Sequence, residues 1–388
     1  MADRLRIMIS CGEPSGDLYA GALTSEILKL APDAAIAGFG SERLRAAGAS
    51  LVRDFQGLSV TGLTEALRVI PRSWQNYRAL LRAADAERPD VFVPIDFPDF
   101  NFFLARAMHK RGVPVVYYIS PQLWAWRRGR LKTMKRVADR VLVIFPFEAP
   151  FYEQAGVPVT FVGHPLLELT RPPEPRETFL RAHGLDPARP VVAMLPGSRR
   201  NELHAILPDL TKAAALIAER VPAAQFVLAR APHLADDLFA PLDDWPSGVT
   251  RPVVVEGVSD AVLASADVAI VASGTVTVQA ALHGCPMVVV YRLGALTYTL
   301  GKPFVQVDTY AMVNLVAGTK VVPELIQDQF TPAAVATETL RVLTNPEHAA
   351  AVKAELAAVR AKLGTAGASR RAAEAVLEVA RAGRRYTA

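Results

Sequence analysis

Short apolar runs recur along this chain, with polar, helix-forming stretches between them. Arg6–Ser10, Ile36–Phe39, Val91–Ile95, Val113–Ile119, Arg140–Ile144 and Thr160–Val162 are such runs, rich in β-branched residues and bounded by turn formers. They read as buried strands. A helix is predicted from about Asp17 to Leu30, after the first of them. The segment Arg171-Pro172-Pro173-Glu174-Pro175 interrupts the alternation, and its prolines suit an extended connector. Beyond it the pattern restarts with Val191–Leu195, Gln225–Leu228, Val253–Glu256, Val268–Val271 and Met287–Tyr291 as strands. Helices are predicted over Ala205–Arg220 and Val276–His283, and the tail from Pro332 to Ala382 is helical in composition.

Alternating strands and helices imply an α/β fold with parallel sheets covered on both faces. The expected organisation is an N-terminal domain over 1–170, a second over 171–360 and a C-terminal helix over 361–388. Two such domains would enclose a cleft. The helical tail would return to the N-terminal lobe or cross to a partner chain in a homodimer.

Length supports this division, since 388 residues exceed what one ordinary core organises. No signal-peptide pattern and no run near the ~20 apolar residues of a membrane span is present. Cys11 and Cys285 are the only cysteines, which argues against a disulfide framework and fits the cytosol. The excess of 43 basic over 38 acidic residues gives a net charge of +5. That charge suits an anionic substrate or surface. The absence of a long Lys/Arg run leaves a nucleic-acid tail unsupported.

Candidate chemistry gathers where strands end. Leu195-Pro196-Gly197-Ser198-Arg199-Arg200 and Ala272-Ser273-Gly274-Thr275 each follow a strand and open a helix. Backbone N–H groups and helix dipoles at such turns favour anions, and Arg199 adds a guanidinium suited to phosphate oxygens. Two such loops on one edge would hold a diphosphate. Neither matches G-x-x-x-x-G-K-[ST], so a nucleotide-linked substrate is favoured over an NTPase. Arg43 replaces the third glycine of a dinucleotide fingerprint after Gly38-Phe39-Gly40, which disfavours a nicotinamide cofactor.

Gly12-Glu13-Pro14-Ser15-Gly16-Asp17 ends the first strand, with Asp17 weighed equally as a helix cap and as a functional acid. In Ile95-Asp96-Phe97-Pro98-Asp99-Phe100-Asn101 an apolar setting would raise a carboxylate toward a useful base. Asp99 is the better capper there and Asp96 the better base. Ser120-Pro121-Gln122-Leu123-Trp124-Ala125-Trp126-Arg127 and the basic residues after it suit nucleic acid, an anionic lipid interface or a phosphorylated substrate. Two tryptophans spaced by two cannot share a helix face, so at least one should line a cleft or surface. Leu63–Ala84 reads either as an amphipathic pair on a membrane or as an ordinary surface helix. Phe145-Pro146-Phe147-Glu148 and Gly163-His164-Pro165 follow two more strands, with His164 a candidate cleft residue. No His/Cys/Asp/Glu set has metal-ligand spacing, so no metal is predicted.

Taken in order, these motifs, with Val321-Val322-Pro323-Glu324-Leu325-Ile326-Gln327 near the end, resemble the lipid-A-disaccharide synthase family over nearly the whole length. The resemblance implies a GT-B glycosyltransferase with two Rossmann-like lobes and an interlobe cleft. It implies transfer of a diacylglucosamine unit from UDP-2,3-diacylglucosamine to 2,3-diacylglucosamine 1-phosphate, with inversion and without a bound metal or other cofactor. It also implies a peripheral enzyme on the inner face of the cytoplasmic membrane of Gram-negative bacteria. Asp96 would be the base, with Glu13 and Asp99 as further catalytic candidates. Gly197, Ser198, Arg199, Ser273, Gly274, Thr275, Gln279 and Asn314 would bind the donor. Ser15, Asp17, Asn101, Trp126, Arg127 and His164 would line the acceptor side.

The sequence departs from the family pattern at Gln279, where Glu usually stands, at Pro94, and at Ala311-Met312-Val313 before Asn314. These departures bear on donor affinity and loop shape rather than on reaction class. A UDP-N-acetylglucosamine 2-epimerase would share the fold without needing a lipid acceptor. A basic RNA-binding protein would explain the charge but not the paired glycine loops.

Overall fold

The computed structural model describes residues 4–55, 63–125, 128–170, 174–232, 234–292 and 309–385. These residues form two compact units. One runs to Leu169 and takes in the chain from Leu363 onward, and the other comprises the described residues between Thr170 and Lys362.

The first unit is built on β1 (Arg6–Ser10), β2 (Ala35–Gly40), β3 (Ser50–Asp54), β4 (Val91–Pro94), β5 (Val116–Tyr118), β6 (Arg140–Val143) and β7 (Val159–Phe161). They lie in the order β3-β2-β1-β4, continued through the bridges Phe92↔Val115 and Ile95↔Tyr118 to β5-β6-β7. Every pairing is parallel. The central strands are apolar over most of their length, as at Ile7–Ile9 of β1 and throughout β4, because helices cover both faces. The first helix spans Pro14–Leu30, beginning ahead of the expected Asp17, with Pro14 at its start where a missing N–H costs nothing. The C-terminal helix Ala368–Arg385 packs on it. Glu168 accepts from the N–H groups of Gly367 and Ser369, and Arg371 donates to the carbonyl of Val162, which anchors that helix in this unit.

The second unit contains β8 (Val191–Leu195), β9 (Gln225–Arg230), β10 (Val253–Glu256), β11 (Val268–Ala272), β12 (Met287–Tyr291) and β13 (Glu324–Ile326). All are parallel in the order β10-β9-β8-β11-β12-β13. The helix Arg200–Arg220 lays Leu203, Ile206, Leu207, Leu210, Ala213, Ala214 and Ile217 on this sheet at helical spacing. Helices Pro332–Thr344 and Pro346–Lys362 complete the unit, so the helical tail is three separate helices. Both units are Rossmann-like.

Candidate functional site

In the first unit the loops after β1, β4, β5, β6 and β7 carry the candidate chemistry. Asp96 and Phe97 follow β4 with φ of 43° and 49°, and Ile119 follows β5 with φ of 55°. Left-handed backbone at non-glycine residues costs about 1–3 kcal/mol each and persists only where surroundings impose it. Asn101 holds the loop after β4 in that shape. This fully buried side chain donates through Nδ2 to the carbonyls of Ser10 (3.1 Å), Ile95 (3.2 Å) and Asp96 (2.8 Å). Its Oδ1 accepts from the Ser10 hydroxyl at 2.7 Å. The Tyr117 hydroxyl adds a second bond to the Asp96 carbonyl at 3.0 Å. Asp96 itself is half-buried. The Phe97 ring lies where a side chain on Gly12 would stand, so the loops after β1 and β4 are held together by that glycine.

Several residues expected to face substrate have other work. Asp17 is buried and caps a helix other than its own: its carboxylate accepts from the N–H groups of Ser41 (2.7 Å), Arg43 (2.8 Å) and Leu44 (3.3 Å), at the start of Glu42–Ala46. Asp99 is 65% exposed and ion-paired with Arg130, and it stands in the first turn of the helix Pro98–Lys110, whose N-cap position is Phe97. Asn101 is the clamp just described. His164 is buried against Tyr19 and Phe145, with Nδ1 accepting from the N–H of Leu166 at 3.2 Å. Burial drives its pKa down to about 3, so the ring is neutral. Glu13 and Ser15 are half-buried at the start of the first helix. Trp126 and Arg127 lie outside the described residues. Trp124 sits on a turn, buried rather than lining a surface, and donates its indole N–H to Glu148 at 3.3 Å.

Glu148, in the turn after β6, joins these residues although its motif alone does not mark it as a site residue. It is buried, and Oε2 accepts from the Phe145 N–H at 3.2 Å. Burial pushes its carboxyl up to about 8, hydrogen bonds from the Phe145 backbone, Trp124 and the Ile144 backbone oppose that rise, and the charge of Asp96 adds to it. The available signal was an acid directly after a strand in a phenylalanine-rich turn. Tyr19 and Tyr117 are likewise raised, first by burial and then by Asp96.

In the second unit the two glycine loops differ. After β8, Glu202 turns back onto the loop. Its Oε2 accepts from the N–H groups of Ser198 (2.9 Å) and Arg199 (3.2 Å), and its Oε1 pairs with the Arg199 guanidinium (3.2 Å). The expected open anion cradle is therefore filled at these two amides by the protein's own carboxylate. Glu202 stands three residues after Arg199, the spacing of a capping box, which was the signal in the sequence. Gly197, at φ 124°, packs directly against that carboxylate. After β11, Gly274 and Thr275 are exposed and begin the helix Thr275–Leu282. Thr277 donates its N–H to the Gly274 carbonyl at 3.1 Å; the N–H groups of Thr275 and Val276 lack intrahelical partners by helix geometry, and the dipole favours an anion there. Ser273 is half-buried, with its hydroxyl 3.4 Å from the Tyr310 carbonyl.

Gln279 lies one turn further along this helix and donates to Asp260 at 3.4 Å. Asn314 is buried with its amide filled: Nδ2 donates to the Val322 carbonyl and Glu324, and Oδ1 accepts from the N–H groups of Val321 and Val322. It holds the turn before β13, where a substrate contact had been expected.

The family profile described as lipid-A-disaccharide synthetase matches residues 7–379. The chain belongs to the lipid-A-disaccharide synthase family. This is a family of glycosyltransferase enzymes. The chain is 46% identical over 374 residues to the lipid-A-disaccharide synthase of Geobacter sulfurreducens, covering 96% of this chain and 97% of that protein. It is 45% identical to that of Koribacter versatilis, covering 97% and 99%. Among solved structures, the UDP-GlcNAc 2-epimerase of Neisseria meningitidis superposes with a TM-score of 0.67 at 13% identity, covering 97% of this chain and 100% of that one. The calicheamicin glycosyltransferase gives 0.60 at 18% identity, covering 97% and 98%. At those identities the likeness shows a shared fold, and the fold is that of GT-B transferases and epimerases. The alternative epimerase reading rests on that likeness alone. The synthase family match covers residues 7–379.

Proposed function

We propose that this chain transfers a 2,3-diacylglucosamine unit from UDP-2,3-diacylglucosamine to 2,3-diacylglucosamine 1-phosphate, releasing UDP and the lipid A disaccharide 1-phosphate. The observation that carries the proposal is the family match over residues 7–379. Asp96 takes the proton from the acceptor 6-hydroxyl as the new C1–O bond forms and the bond to UDP breaks, with inversion at C1. A rigid loop supports that role, because a base must be held within reach of one proton. Arg199 and the helix start at Ser273, Gly274 and Thr275 meet the charge developing on the leaving diphosphate.

We further propose a peripheral seat on the inner face of the cytoplasmic membrane. Among the described residues no helix is long and apolar enough to cross a membrane. The helix Leu63–Glu87 exposes Ile70 (57%) and Trp74 (53%), with Trp74 stacked on Tyr77 and the Arg78 guanidinium 5.3 Å from its ring centre. Aromatic and basic groups side by side suit an anionic lipid interface.

The test is UDP release from UDP-2,3-diacylglucosamine with and without 2,3-diacylglucosamine 1-phosphate, for wild type and Asp96→Ala. Acceptor-dependent release with a disaccharide product is expected, falling by about 10²- to 10⁴-fold in the variant while UDP binding is retained. Release that ignores the acceptor would overturn the transfer reaction in favour of hydrolysis or epimerisation.

A further inference from the structure

The second unit holds a cavity of about 650 Å³ that the transfer reaction leaves unused. Pro190, Asp267 and Cys285 line it, and they stand just before β8, β11 and β12. Those strands are neighbours and parallel, so the cavity lies at the end of the sheet opposite the two glycine loops. Strands of five residues put roughly 15 Å between the two ends. The volume is in the range that holds a small ligand.

Among the described residues, three cations line this cavity against one carboxylate. The carboxylate is matched internally: Asp267 Oδ2 accepts from Arg176 Nη2 at 2.9 Å and from the Val191 N–H at 2.8 Å. Arg176 also donates through Nη1 to the Ser265 carbonyl. The other two cations have capacity left over. Arg189 donates through Nε alone, to the Ala223 carbonyl at 2.9 Å, and Lys353 makes no hydrogen bond or ion pair among the described residues. The Lys353 charge nevertheless reaches inward. Burial pushes the Cys285 thiol up to about 12 and Asp267 adds to that rise, while Lys353 and Arg176 oppose it. The thiol therefore stays neutral and brings no competing negative charge. His283 is already bonded to Asp260 through Nε2 at 3.0 Å. The rest of the lining is largely apolar, with Leu263, Val342, Leu343, Pro346 and Ala349. Pro346, Ala349 and Lys353 follow the spacing of one helix face, so a cation and apolar surface are presented together.

We propose that this cavity binds an amphiphilic phosphate monoester, with its phosphate on Arg189 and Lys353 and its apolar body against Val342, Pro346 and Ala349. A guanidinium and an ammonium both suit phosphate oxygens. Burial of a short alkyl chain adds affinity that inorganic phosphate lacks. The site is separate from the proposed UDP site, and the proposal does not depend on that reading.

The experiment is calorimetric titration of hexyl phosphate, inorganic phosphate and hexanol into wild type, Ala349→Phe, Arg199→Ala and a variant carrying both Arg189→Ala and Lys353→Ala. Thermal unfolding confirms that each is folded. Hexyl phosphate should bind wild type and Arg199→Ala alike at millimolar concentration or below. The double variant should bind it about 10-fold or more weakly, the scale of a hydrogen bond to a charged group. Ala349→Phe, which sets a ring in the space of the alkyl chain, should weaken it too. Inorganic phosphate and hexanol should each bind wild type about 10-fold or more weakly than hexyl phosphate. Unchanged hexyl phosphate binding in either cavity variant overturns the proposal, and its loss in Arg199→Ala would assign the ligand to the donor loop instead. Inorganic phosphate that binds as well as hexyl phosphate overturns it in favour of a plain anion site. Wild type that takes up no hexyl phosphate at millimolar concentration overturns it outright.

Discussion

Asn101→Ala should destabilise the first unit by roughly 3–5 kcal/mol. The figure follows from the bonds lost. The side chain is completely buried and serves the carbonyls of Ser10, Ile95 and Asp96 and the hydroxyl of Ser10. Two N–H donors meet three carbonyls, so these bonds count as about two, each worth about 1 kcal/mol net. The Ser10 hydroxyl loses its acceptor in a dry site, which adds about 1–3 kcal/mol. The Ser10 and Asp96 carbonyls keep second donors, from the Ile95 N–H at 2.8 Å and the Tyr117 hydroxyl at 3.0 Å, and this bounds the loss from above. Urea unfolding followed by tryptophan fluorescence measures it. In a Trp245→Phe background the remaining tryptophans, Trp74, Trp124 and Trp126, all belong to the N-terminal part of the chain. With m of about 1–3 kcal/mol/M, the midpoint should fall by about 1 M or more. The cycle with Ser10→Ala sharpens the test. The double variant should cost clearly less than the sum of the singles, because Ser10→Ala removes the hydroxyl that Asn101→Ala would strand. A loss under about 1 kcal/mol, or strict additivity, would refute the clamp.

Glu148→Gln should show a pH-dependent effect of definite sign. The folded carboxyl, raised to about 8, holds its proton more tightly than the unfolded one near 4.5, so wild-type stability falls as pH rises through that window. Thermal unfolding should therefore show Glu148→Gln gaining on wild type from pH 5 to pH 9 by an amount on the order of 1 kcal/mol or more, and a difference flat across that range sinks the assignment. Gly197→Ala should lower stability by about 1–3 kcal/mol, from its positive φ alone, and further by displacing Glu202. Differential scanning calorimetry reads the loss, and a variant as stable as wild type would mean that the loop relaxes without cost.

The central strands were legible because parallel strands covered on both faces must be apolar, and β4, β8, β11 and the middle of β1 are. Edge strands escape that rule. β3, Ser50-Leu51-Val52-Arg53-Asp54, is only partly buried, and β13 is three residues long, so neither stood out. At the site, the loops were legible and the partners of their side chains were not. Asp17 looked like a cap for its own helix because its partners, Ser41, Arg43 and Leu44, lie 24 to 27 residues away. Glu202 could have been foreseen from its spacing. The Asp260 contact joins helices after two different strands, and no local pattern announces it.

Asn101, Asp17, Glu202 and Asn314 share a physical role that motif reading runs together with ligand binding. Each is a buried polar side chain bonded mainly to loop backbone at or near a strand end. Such backbone leaves the sheet ladder while still inside the protein, and its polar groups need partners there. A loop that presents a reactive group also needs more rigidity than its own backbone provides. One residue type therefore meets two demands, and a motif retains presenting and clamping residues alike. The distinction is whether hydrogen-bonding capacity remains. Asn314 has both donors and both acceptor sites engaged, and Glu202 has both oxygens on its own loop. Asn314 has no donor or acceptor left over from the turn it holds. With the Ser198 and Arg199 amides closed by Glu202, the proposed stabilisation of a leaving diphosphate would fall to the Arg199 guanidinium and to the helix start at Thr275, where the chain is exposed. The two glycine loops, equivalent in sequence logic, are thereby unequal in chemistry. The first supplies a side-chain cation on a self-capped helix, and the second supplies the open backbone.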